Sequence, residues 1–130
     1  MSNIVILVGS MRKDGNTDLL AQAFAEGARK NNSVEILSVA DYKVNPCIGC
    51  NSCFAREGNR CFQNDDMNVI YEKLKVADIV VVASPVYFYG ISAELKAVRF
   101  FSSGRCRHGA CKGSEGQRGY ERKRSIERSL

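Results

Sequence analysis

Ile4-Val5-Ile6-Leu7-Val8 runs directly into Gly9-Ser10-Met11-Arg12-Lys13-Asp14-Gly15-Asn16-Thr17 near the start of the sequence. A short unbroken aliphatic run ended by glycine is the pattern of a strand buried on both faces, as in a parallel sheet. The loop after it opens a helix, expected over about Thr17 to Lys30. Asn16 or Thr17 is expected to cap it, Asp18 sits in its first turn, and Leu19, Leu20, Phe24 and Ala28 supply an apolar stripe. Further along the chain the same arrangement recurs. Ile79-Val80-Val81-Val82-Ala83 runs into Ser84-Pro85-Val86-Tyr87-Phe88-Tyr89-Gly90, and a helix is expected from Ser92 to about Val98.

Between these two units, Val34, Ile36 and Val39 mark a second strand. Asp65 and Asp66 can start another helix with the stripe Met67, Ile70, Tyr71 and Leu74. Strand-helix-strand-helix-strand with crossover helices predicts an α/β fold, a parallel sheet covered on both faces. At 130 residues the chain has room for one such domain.

The net charge of +5 is unevenly placed. Residues 1–101 carry 11 Lys and Arg against 11 Asp and Glu, whereas residues 102–130 carry 8 against 3. The expected organisation is therefore a folded domain over 1–101 and a basic, disordered tail over 102–130. A uniformly basic nucleic-acid-binding domain does not distribute charge this way. The N-terminus lacks a basic segment before its apolar run. That run is too short for a signal peptide or a membrane span, which predicts a cytoplasmic protein without membrane attachment.

The two loops differ in chemistry. The first offers backbone N–H groups at a helix N-terminus, hydroxyls from Ser10 and Thr17, the Asn16 amide and the Arg12 charge, a set suited to a phosphate dianion. It has neither the Walker A pattern nor the three-glycine dinucleotide fingerprint. The second offers three consecutive aromatic faces, Tyr87, Phe88 and Tyr89, after Pro85 and Val86. Both follow the carboxyl ends of strands, where open parallel sheets bind ligands. A phosphate beside a flat ring points to flavin mononucleotide (FMN).

Cys47, Cys50, Cys53 and Cys61 form a C-x2-C-x2-C-x7-C pattern. Crowded two-residue spacings suit a [4Fe–4S] cluster better than zinc, whose tetrahedral sites use two separated pairs. Reduced thiols beside the ligand are the third reading, and all three stay open. Cys106, Cys111 and the single histidine, His108, lie in the basic tail and are read as incidental.

The motifs around Gly9–Thr17, Pro46–Cys53, Asp65-Asp66-Met67 and Ser84–Ser92 with Leu95-Lys96 together resemble the NADPH-dependent FMN reductases over residues 1 to about 98. They are most similar to the branch that includes the iron–sulfur flavoproteins. The resemblance implies a flavodoxin-like fold, here with three of an expected five strands. It implies that Ser10, Arg12, Asn16 and Thr17 bind the FMN phosphate, and that Pro85, Val86, Tyr87, Phe88 and Tyr89 line the isoalloxazine. It further implies NAD(P)H as electron donor, a small-molecule or redox-protein acceptor, and a homo-oligomer.

Overall fold

The computed structural model describes residues 1–57 and 60–98. Its core is a three-stranded parallel sheet of β1 (Asn3–Val8), β2 (Ser33–Ser38) and β3 (Ile79–Ala83), in the order β2-β1-β3. The register is continuous along β1: Ile6 lies opposite Ile36 on one side and Val81 on the other. The helices are α1 (Asn16–Ala28), α2 (Met67–Val76) and α3 (Ala93–Ala97). The expected order of elements and the parallel sheet are both present, with the first strand central.

β1 is aliphatic from Ile4 to Val8 because both of its faces are buried there. One face meets α2 and α3: Val5, Leu7 and Leu37 pack with Met67, Ile70, Tyr71, Leu74 and Leu95. The other meets α1: Ile4, Ile6 and Val8 pack with Ala21 and Ala25. The α2 stripe read from the sequence is thus buried at all four positions.

Three expectations need correction. The first is the α1 stripe, since Leu19, Leu20 and Phe24 are exposed and the buried residues are Ala21 and Ala25. Alanine methyls make the contact of α1 with the sheet, while Leu20 and Phe24 line a groove beside Val81 and Val82. The second is the α1 cap. The N-cap is Gly15, extended at φ −80° and ψ 175°, with no side-chain cap hydrogen bond, and Asn16 is already helical. The third is Val39, which falls in a 3-10 turn after β2 rather than in the strand, although it is buried. The expected tail, with Cys106, Cys111 and His108, lies outside the described residues.

Candidate flavin site

Two loops meet at the carboxyl end of the sheet. Their bases are joined where the Gly9 N–H donates to the Ala83 carbonyl at 2.7 Å. Glycine is needed at position 9 for a packing reason. A Cβ there would lie 2.9 Å from both Ser92 Oγ and Leu95 Cδ2, and both of those residues are buried.

The first loop is braced from within. The Ser10 hydroxyl donates to the Arg12 carbonyl at 3.1 Å and accepts from the Arg12 N–H at 3.2 Å. Ser10 is buried, so its hydroxyl shapes the turn instead of facing outward. Asp14 takes a positive φ of 57°, and its N–H donates to Asp18 Oδ2 at 3.0 Å. Lys13 pairs with Asp41 at 2.6 Å, which ties the loop to the turn after β2. The Asp41 carboxylate raises the Lys13 pKa, by hydrogen bonding first and charge second. Arg12 is exposed and has no ion pair among the described residues. With Gly15 as N-cap, no side-chain cap hydrogen bond is made at the positive end of α1, and the Asp18 carboxylate in the first turn is engaged by the Asp14 N–H. That open helix end, the unpaired Arg12, exposed Asn16 and half-buried Thr17 fit the phosphate of FMN.

The second loop is a tight antiparallel turn. Tyr87 and Gly90 exchange two backbone hydrogen bonds, of 2.9 and 3.0 Å. Phe88 and Tyr89 at its tip have φ of 47° and 61° and are fully exposed. Positive φ at both central residues is the mark of primed hairpin turns, which favour Asn and Gly. Two aromatics there are strained, and such outliers collect at ligand clamps. Val86 and Tyr87 are exposed as well, while Pro85 is half-buried. The five residues expected to line a ring therefore lie on one protruding loop, with apolar faces free.

The cysteine segment is an excursion between β2 and α2. Its stem is closed by the acidic pair before α2: Asp66 accepts from the Lys43 N–H at 2.7 Å and Asp65 from the Asn45 N–H at 3.0 Å. The Asp66 N–H also donates to the Lys43 carbonyl at 3.1 Å, and Gln63 donates to the Pro46 carbonyl at 3.2 Å. Sequence reasoning took the two aspartates as helix starters and missed this. Gly49 turns the chain at φ 71° between Cys47 and Cys50. Cys47 and Cys50 are exposed, Cys53 and Cys61 half-buried, and all four are free thiols. Hydrogen bonding with Ser52, at 3.2 Å, pushes the Cys50 thiol below its ordinary pKa. Among the described residues, no three His, Cys, Asp or Glu side chains gather in a way that could hold a metal ion. The donor set has the chemistry of an iron–sulfur cluster, but the thiols do not converge as placed here.

A groove of about 430 Å³ runs along the α1 side of β3, lined by Ile6, Leu20, Ala21, Phe24, Val81 and Val82 among others. It reaches the two loops at Asn16, Thr17 and Ser84, and none of the ring-loop aromatics lines it. It is a flank of the sheet that no described element covers. Among the described residues, no helix is long and apolar enough to cross a membrane.

The strand order and the paired loops at the strand ends define a flavodoxin-like α/β protein. Two solved structures share this fold. One is the NAD(P)H:quinone oxidoreductase from Methanothermobacter marburgensis (TM-score 0.62, 16% identity, 78% of this chain and 55% of that one). The other is RosB with bound 8-demethyl-8-formylriboflavin-5′-phosphate (TM-score 0.57, 20% identity, 75% of this chain and 40% of that one). The family model for NADPH-dependent FMN reductase matches residues 2–99, and the chain belongs to that family. An iron–sulfur flavoprotein of Methanocaldococcus jannaschii is 44% identical over 94 residues, covering 72% of this chain and 48% of that protein. The chain thus spans about half the length of this relative.

Proposed function

We propose that the chain binds FMN across the two loops and acts as an NAD(P)H-dependent oxidoreductase, passing electrons to a small-molecule or redox-protein acceptor. The observation that carries this reading is the junction of the loops: an uncapped helix N-terminus and an exposed aromatic turn share one base at Gly9 and Ala83. FMN, when bound, supplies the hydride and electron chemistry itself. Arg12, Asn16, Thr17 and the first N–H groups of α1 hold the phosphate, and Ser10 keeps their loop in shape. Pro85, Val86, Tyr87, Phe88 and Tyr89 line the ring and keep water from one of its faces. Membership of the family supports the nicotinamide donor, and the name of the Methanothermobacter marburgensis neighbour supports a quinone-like acceptor.

A second reading adds a [4Fe–4S] cluster on Cys47, Cys50, Cys53 and Cys61. It is favoured by four cysteines on one excursion and by the name of the Methanocaldococcus jannaschii relative. Cluster binding would require that excursion to draw its thiols together. One anaerobic experiment tests both readings. The protein is reconstituted with FMN, iron and sulfide, and its absorption is followed during titration with NADPH. The expected result is a bound flavin spectrum that bleaches with one equivalent of NADPH. A broad additional shoulder with four irons per chain supports the cluster. A flavin spectrum unmoved by NADPH, and by NADH added in its place, contradicts the proposed activity.

A further inference from the structure

We infer that Ser84 is the positioning residue of the aromatic loop: its hydroxyl closes the two ends of the loop and so sets it against the phosphate-side loop. The consequence for ligands rests on the flavin reading above; the closure itself rests on geometry alone. Ser84 follows β3 directly and is half-buried. Its hydroxyl donates to the Pro85 carbonyl at 2.8 Å and accepts from the Ser92 N–H at 3.0 Å, eight residues on. The excursion from 84 to 92 thus has two rungs. One is this side-chain rung at the base, and the other is the backbone pair of Tyr87 and Gly90 near the tip.

The base rung is itself anchored. Ser92 is 1% exposed, and its hydroxyl accepts from the Leu95 N–H at 3.2 Å, which caps α3. Ser92 and Leu95 in turn press on Gly9, the first residue of the other loop, leaving no space for a Cβ. Contacts therefore run from Gly9 through Ser92 to Ser84, and the spacing of the two loops follows from them. The Ser84 hydroxyl spends its one proton on the Pro85 carbonyl, so it donates to no ligand while the loop is closed. Without it, the buried Ser92 N–H keeps no partner unless the loop opens to water, and the opening is the cheaper outcome. Threonine keeps the hydroxyl; alanine does not.

The test uses the full chain. Hydrogen exchange is measured without ligand, and FMN and riboflavin are titrated separately. For Ser84→Ala, amide exchange in residues 86–92 is expected to accelerate at least about fivefold, while β1 and α2 stay protected. Affinity for FMN and for riboflavin should fall by the same factor, about three- to tenfold. Ser84→Thr should restore both. Unchanged exchange in 86–92, or no rescue by threonine, overturns the inference. A loss confined to FMN does so too, as does a general loss of protection reaching β1 and α2, because Ser84 would then serve the phosphate or the whole fold. If the unaltered protein binds neither flavin, the flavin reading fails, and the exchange measurement alone decides the role of Ser84.

Discussion

Single residues carry the chemistry, and several do so differently from what their type suggests. Ser10 has the hydroxyl expected of a phosphate donor, yet it is buried and bonded to the backbone of Arg12. That outcome was not legible, because a serine two residues before an arginine looks the same whether its hydroxyl turns in or out. Gly9 was read as the end of a strand, and its steric role became visible only once Ser92 and Leu95 were placed beside it. The aromatics of the second loop were legible as faces for a ring, but their backbone strain was not. That strain yields a test. Phe88→Gly should stabilise the protein by about 1 kcal/mol in urea unfolding, because glycine adopts positive φ freely. The same change should weaken flavin binding at least about threefold through the lost aromatic face. Lower stability in Phe88→Gly would mean that the tip packs on something and is not strained.

At the scale of elements, the sequence was most readable where apolar periodicity and burial coincide. β1 and the stripe of α2 are examples, because their side chains meet the sheet core from a fixed direction, whereas β3 is equally apolar yet leaves Ile79 and Val82 exposed. It was least readable in α1. Leu20 and Phe24 carry the apolar signal, but alanines make the close contact. Hydrophobicity marks what can be buried, while the helix–sheet distance selects what is. The cysteine excursion shows the same limit. Its spacing was legible, but its stem depends on Asp65 and Asp66 bonding backbone about twenty residues earlier, and no local pattern announces that. The stem has a measurable consequence. Asp66→Ala removes the bond to the Lys43 N–H, so trypsin should nick the excursion at Arg56 several times faster than in the unaltered protein. Thermal stability should fall less than the nicking rate rises. Equal nicking rates would show that the remaining stem bonds hold the excursion without Asp66.

For the whole molecule, the sheet order β2-β1-β3 places β3 at an edge among the described residues. Ile79 and Val82 are exposed there, next to a groove that includes Leu20 and Phe24. An unpaired apolar edge of this kind invites another strand. Val82→Lys should therefore shift the chain toward monomer in size-exclusion chromatography, and a monomeric unaltered protein at all concentrations would contradict this. Family and fold were legible because four motifs occur in order and two of them, Gly9–Thr17 and Ser84–Ser92, directly follow strands. If the two loops form one FMN site, the phosphate supplies much of the affinity. Titration of FMN and riboflavin into the unaltered protein and into Arg12→Gln with Thr17→Ala tests it most directly. Hydrogen bonds to a charged group contribute about 1.5–3 kcal/mol each, so the double variant should lose at least about tenfold in FMN affinity. Riboflavin affinity, which involves no phosphate, should stay within about twofold of its original value. Equal losses for the two ligands, or no preference for FMN in the unaltered protein, would contradict the account.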